Sequence, residues 1–213
     1  SQPYRTHWQV TTDGKVLALG ESQHFGDLAD DASVNNVTAI AANATGRGYW
    51  LARANGAVVA FGDASPLDGV AGAMTLNQPI IDIAATPSGN GYWLVASDGG
   101  IFSFGDAGFH GSTGAMTLNQ PIVGMAATPS GNGYWLVASD GGLFSFGDAS
   151  FYGSTGAMML NQPITSVIQT RLGYDLVAKD GGVFNFNSPF LGSGASGELS
   201  FSVVDATSRV GGW

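Results

Sequence analysis

Apolar and polar positions along this chain change places in a pattern that recurs. "IVGMAAT" at residues 122–128 is a short apolar run; "PSGNG" breaks it; "YWLVAS" at 134–139 is a second run rich in aromatic and β-branched residues. Asp140-Gly141 interrupts for two residues, "GLFSF" follows at 142–146, "GDAS" breaks again, and "FYGST" at 151–155 is a last short run before "AMMLNQP". Short runs of this composition, bounded by Gly, Pro, Asn and Asp, are strand signals, and no stretch carries the 3.6-residue periodicity of a helix. Asp-Gly between two such runs marks a two-residue hairpin turn, because both central residues need φ > 0. The unit predicts four strands, at 122–128, 134–139, 142–146 and 151–155.

The unit repeats. Its aromatic pair stands at His7-Trp8, Tyr49-Trp50, Tyr92-Trp93 and Tyr134-Trp135, with Tyr174-Asp175 in the fifth place, at steps of 42, 43, 42 and 40 residues. The hairpin signal recurs in all five units, at Asp13-Gly14, Asn55-Gly56, Asp98-Gly99, Asp140-Gly141 and Asp180-Gly181. Four strands in about 40–45 residues is the period of a propeller blade. The predicted fold is all-β: a five-bladed β-propeller with four-stranded blades. First-strand patterns lie at 37–43, 80–86, 122–128, 164–170 and 201–207, so the chain starts inside a blade and finishes with an unmatched first strand. The expectation is one domain over 1–213. Blade 1 takes 4–29 plus 201–207; the others span 37–72, 80–115, 122–157 and 164–196. A ring closed by the C-terminal strand leaves no open edge between first and last blades. The phrase "GNGYWLVASDGG", at 89–100 and again at 131–142, repeats because each blade buries its faces only against its neighbours.

Composition narrows the function classes. The 213 residues are 44% hydrophobic and only 11% charged, with 33 glycines, which suits short strands and tight turns. A net charge of −9, with Lys15 and Lys179 as the two lysines, argues against a phosphate-neutralising surface; no nucleic-acid partner is expected, and docking on anionic membrane is disfavoured. Absence of cysteine removes disulfides, thiolate metal sites and thiol nucleophiles. No apolar run approaches the ~18 residues of a membrane span, so membrane insertion is not expected. The opening Ser1-Gln2-Pro3, without Met, reads as a trimmed start, and no signal peptide is visible.

"GYWLVASDGGIFSFGDA" at 91–107, followed by "FHGSTGAM" and "LNQPI", resembles a tandem repeat common in secreted and cell-surface proteins of actinobacteria, often appended to extracellular hydrolase domains. The resemblance is close over 80–164, good over 39–64 and 174–186, and faint in the first blade and the C-terminal strand. It implies an extracellular or cell-surface location, an actinobacterial origin and a propeller fold, and it hands over no functional residues. In blade count and strand pattern the chain is also similar to the five-bladed lectin tachylectin, a likeness of architecture that does not carry function.

Several constellations of residue types suit a site. Trp50, Trp93 and Trp135, with Phe61, Phe104, Phe146 and Phe186, recur in register; a sugar-stacking platform uses such rings, but between blades they are expected to fill the core. His110 and Tyr152 are expected to be more exposed. Glu21, Asp63, Asp106 and Asp148, with Ser188 in the fifth unit, follow the third strand; one acid per blade is too sparse for calcium, and each is expected to accept N–H bonds from its own turn. Asp27, Asp30 and Asp31 match no recognised calcium loop, and His7, His24 and His110 show no metal spacing. No metal or cofactor is expected. Inner strands offer Asp82 and Asp205 as the acidic pair a glycosidase needs; no nucleophile elbow or phosphate loop appears, so no enzyme is expected.

Polar loops remain. The connection from fourth to first strand and the hairpin between second and third should share one face. Asn77-Gln78, Asn119-Gln120 and Asn161-Gln162 then stand beside Asp98, Asp140 and Asp180. These side chains make the multidentate hydrogen bonds that sugar hydroxyls require; they also serve turns for local reasons. The expected function is a non-enzymatic extracellular binding module for a cell-surface or environmental glycan or cell-wall polymer. The alternatives are a structural or protein-interaction propeller, with a protein as partner, and a glycoside hydrolase.

Overall fold

Each Asp-Gly or Asn-Gly pair does turn the chain: Gly14, Gly56, Gly99, Gly141 and Gly181 have φ between 78° and 86°. The structure, a computed structural model, describes residues 6–31, 34–70 and 73–194. The C-terminal strand expected at 201–207, and Asp205 within it, lie outside the described residues. Among those described there are fourteen β-strands. Contacts divide the chain into two compact units. The first runs to Ser97 and takes in Ile101–Phe109; the second holds Asp98–Gly100 and continues from His110.

In the first unit, β1 (Thr6–Val10) pairs with β2 (Val16–Gly20); β3 (Val37–Ala42), β4 (Gly48–Arg53) and β5 (Val58–Gly62) form a three-stranded antiparallel meander; β6 (Ile80–Ala85), β7 (Gly91–Ala96) and β8 (Ile101–Gly105) form another. The second unit has two more meanders, β9 (Ile122–Ala127), β10 (Gly133–Ala138) and β11 (Leu143–Gly147), then β12 (Ile164–Gln169), β13 (Tyr174–Ala178) and β14 (Val183–Phe186). In each meander the middle strand lies between the other two.

Middle strands are covered on both faces, which explains their near-continuous apolar character. Successive side chains point to opposite faces, so a Tyr-Trp pair sends one ring each way. Trp8 meets Tyr49, Trp50 meets Tyr92, and Trp135 meets Tyr174, with ring centroids 5.6, 5.5 and 5.3 Å apart. The indole N–H of each donates to a carbonyl fifteen residues on: Trp50 to Ser65 at 2.8 Å, Trp93 to Gly108 at 2.7 Å, Trp135 to Ser150 at 2.9 Å. The fifth sheet carries Asp175 at the Trp position, and Asn185 Nδ2 on β14 donates to it at 2.8 Å, so this replacement is matched across the strand pair.

Inner strands share a bulge. Pairing slips between Val37 and Ala39, Ile80 and Asp82, Ile122 and Gly124, and Ile164 and Ser166. The extra residue is the second of each strand, and such a bulge re-aims the side chains that follow it.

The fourth strand is where expectation and structure part. The described sheets have two or three strands, and residues 151–155 form none. The segment instead latches onto the following sheet. Tyr174 Oη on β13 donates to the Gly153 carbonyl at 2.6 Å and accepts the Tyr152 N–H at 3.0 Å. Gly153 has φ +129°, and a Cβ there would stand 2.9 Å from the Phe186 ring. A backbone in that conformation, tied down by a tyrosine of the next sheet, cannot continue its own ladder. Tyr134 and Gly111, and Tyr49 and Gly26, repeat the arrangement at 2.6 and 2.5 Å.

Candidate functional site

Backbone bonds put the Asn-Gln loops on the same sheet edge as the hairpins. In the first unit, the Pro79 carbonyl accepts the Ser97 N–H at 3.0 Å, and Ile80 donates to Ala54 O at 2.9 Å. In the second, Pro121 O accepts from Ser139, Pro163 O accepts from Lys179, and Ile164 donates to Ser139 O. Each loop is therefore pinned at its proline end, while Asn77, Gln78, Asn119, Gln120, Asn161 and Gln162 stay exposed.

Two clefts open at these loops. In the first unit, Asn77 and Gln78 join Asn55, Met74, Leu76 and Pro79 around about 460 Å³. Ser97 Oγ donates to Gln78 Oε1 at 3.5 Å, a long bond. In the second unit, Asn119, Gln120 and Asp140 line one cleft of about 130 Å³ with Leu118, Gly142 and Phe144. That cleft brings together three of the residues singled out in the sequence.

The aspartates also serve their own turns. Oδ1 of Asp98, Asp140 and Asp180 accepts the N–H two residues on, at 2.9, 2.9 and 3.0 Å. Asn55 does the same for Ala57 at 3.1 Å. A carboxylate has about four acceptor positions, and each turn bond uses one of them on Oδ1, so the turn role leaves acceptor capacity for a ligand.

The acids that follow the third strands require a correction. They were expected to bind N–H groups of their own turn; their main partners are side chains of the turn before the middle strand. Thr128 Oγ1 and Ser130 Oγ donate to Asp148 at 2.8 and 2.5 Å, and Thr86 and Ser88 hold Asp106 likewise at 2.9 and 2.5 Å. Asn43 and Thr45 do this for Asp63, with the exposed Arg47 guanidinium 3.7 Å away. Donation from Ser130, then Thr128, holds the Asp148 carboxyl below the usual 3.8 against a smaller opposing effect of desolvation, and Asn43, Thr45 and Arg47 do so for Asp63. Carboxyls lowered in the folded state stabilise above the unfolded value and lose that contribution as pH falls through the folded one. The unfolding midpoint should therefore hold above about pH 5 and drop below the usual carboxylate range. Asp148→Asn should flatten that acid limb in a thermal melt series; an unchanged limb would show that the clamp does not contribute.

Other candidates do not converge. Asp27 accepts the Val16 and Ala29 N–H groups and meets His24 at 3.3 Å. His110 meets the Tyr134 ring in a tilted contact and is half-buried, whereas Tyr152 is exposed, so the paired expectation for them divides. Asp82 accepts the Ile83 N–H at 2.7 Å on its inner strand. Trp50, Trp93 and Trp135 are buried in the core; Phe61, Phe104, Phe146 and Phe186 are half-buried against it. Among the described residues, no group of three or more His, Asp or Glu is placed to share a metal ion.

Sequence reasoning passed over the exposed apolar side chains. Phe109, Phe151 and Phe190 each stand exposed two residues before a positive-φ glycine, and Met74, Met116 and Met158 each stand three residues before a loop Asn. The signal was a methionine recurring at one position of the Asn-Gln loop.

No protein-family model matches the chain, and no curated protein does. Among solved structures it is similar to the β-propeller domain of Cps50 (Swd1) from Myceliophteria thermophila, with a TM-score of 0.53 and 12% identity over 84% of this chain. The match spans 64% of that domain, less than two thirds of its length. At that identity the likeness concerns fold alone, and the fold is that of a β-propeller built from repeated antiparallel sheets.

Proposed function

We propose that this chain is a non-enzymatic, extracellular glycan-binding module: one five-bladed propeller ring whose first blade is completed by residues 201–207. The cleft lined by Asn119, Gln120 and Asp140 carries the reading. Asn119, Gln120 and Asp140 line it beside the apolar Leu118 and Phe144, and sugars present a matching mixture of hydroxyls and C–H faces. The propeller fold fits a binding or interaction module. Repetition of the loop at 77–78 and 161–162 supports avidity toward a polymer, since weak sites linked on one scaffold gain from effective concentration. The actinobacterial resemblance favours a cell-surface polymer as ligand.

A single site is expected to bind weakly, because each hydrogen bond nets only about 0.5–1.5 kcal/mol against water. Binding to polymeric glycan should greatly exceed binding to its monosaccharide and depend little on salt, the chain having few cations to pair with an anionic polymer. Asn119→Ala with Gln120→Ala should weaken retention on insoluble peptidoglycan or polysaccharide in a solid-phase assay and leave the melting temperature in place. Equal retention by variant and wild type would remove these loops from the site. Release of reducing sugar would favour the hydrolase. Exposed methionines on the same loops favour a protein-interaction module as the second reading; capture of a protein partner with no glycan bound would put it first.

A further inference from the structure

We infer that Met74 in the first unit, and Met116, Met158 and Met159 in the second, are each peroxide-reactive surface side chains of the Asn-Gln loops, and that their oxidation weakens what those loops bind. The second half rests on the glycan-binding reading; the first does not. The chain has five methionines and no cysteine, so thioethers are its only oxidisable sulfur. Four of the five are exposed, at 55%, 56%, 56% and 101%, and all four lie in the loop repeat. The fifth, Met125, is buried on β9 at 5%.

Loop backbones place the methionines alike in the second unit, while in the first Met74 N–H reaches Val70 O at 3.4 Å. Met116 N–H donates to Thr113 O, and Met158 N–H to Thr155 O, both at 2.8 Å. Packing falls instead to the leucine two residues on: Leu76 and Leu160 lie against the buried clusters of their units. Oxidising the methionines therefore leaves the core untouched. Met74, however, is part of the wall of the cleft that holds Asn55, Asn77 and Gln78.

The chemistry needs hydrogen peroxide or a related two-electron peroxide. A sulfur lone pair attacks one peroxide oxygen; an S–O bond forms and the O–O bond breaks. The departing hydroxide takes up the proton of the transferred oxygen and leaves as water. Sulfur is oxidised by two electrons, and the peroxide is reduced by two. A flexible apolar side chain becomes a polar one, which methionine sulfoxide reductases can restore. Beside Asn77 and Gln78, a new S=O acceptor competes for the amide donors that a ligand would use.

The experiment treats the intact chain with hydrogen peroxide, maps oxygen addition by peptide mass spectrometry, and measures retention on insoluble peptidoglycan before and after. Exposure governs the rate, so the four loop methionines should oxidise about tenfold or more faster than Met125, with the circular dichroism spectrum preserved. Retention should fall severalfold and recover after treatment with both reductases. Retention by a Met74→Leu, Met116→Leu, Met158→Leu, Met159→Leu variant should be the same before and after peroxide. Oxidation of Met125 at the rate of the others would overturn the reactive surface. Undiminished retention by the fully oxidised protein would overturn the switch. If untreated protein binds no peptidoglycan, the switch falls with the glycan reading, while the mapping still decides the surface.

Discussion

Trp135→Ala is expected to cost about 3–5 kcal/mol of unfolding free energy, the range for truncating a large buried aromatic. The ring is 4% exposed, lies 5.3 Å from Tyr174, and ties down Ser150 through its indole N–H. Both contacts belong to the second unit, and they join β10 to the sheet that follows and to the segment leaving β11. Urea titration should show the loss as a lower midpoint. Trp135→Phe separates the contributions: it keeps most of the apolar contact and gives up a hydrogen bond worth roughly 1 kcal/mol. Phe151→Ala is the control, because that ring is 59% exposed and surface substitutions stay within about 0.5 kcal/mol. If Trp135→Ala costs no more than the control, the reading of the Tyr-Trp pair as the cement between sheets is wrong.

Deleting residues 200–213 is expected to abolish cooperative unfolding. Among the described residues the sheet of β1 and β2 has two strands where the four others have three, and neither of the two is an inner strand. Trp8 and Val16 of that sheet are buried. Apolar alternation at 201–207 matches the inner strands Ile80–Ala85 and Ile164–Gln169. If that segment completes the first blade, its removal leaves an unpaired inner edge, which is a template for aggregation. Light scattering and a broadened melt would record this. A truncated chain that stays monomeric and melts like the full one would refute the proposed ring order.

The sequence by itself determined the parts that depend on neighbours along the chain. Asp-Gly and Asn-Gly are turns because the two central residues need φ > 0, a local requirement. "YWLVA" is a middle strand because residues apolar on both faces cannot face water on either. The period followed from counting, and the Asn-Gln loops and Asp hairpins fell on one edge because antiparallel meanders return every second connection to the same side.

Tertiary structure decided what depends on residues far away. "FYGST" carries strand-forming residues, yet Tyr174, more than twenty residues on, claims its backbone and no ladder forms. Asp148 looked like a turn residue serving itself, but Thr128 and Ser130 reach it from another turn eighteen to twenty residues back. Met116 and Leu118 are both apolar and two residues apart, and nothing local says which faces water; the leucine tucks in and the methionine stays out. In each case the deciding term is the competition for a hydrogen-bond partner or a buried position across sheets. The local pattern offers the group, and the fold selects which partner it meets.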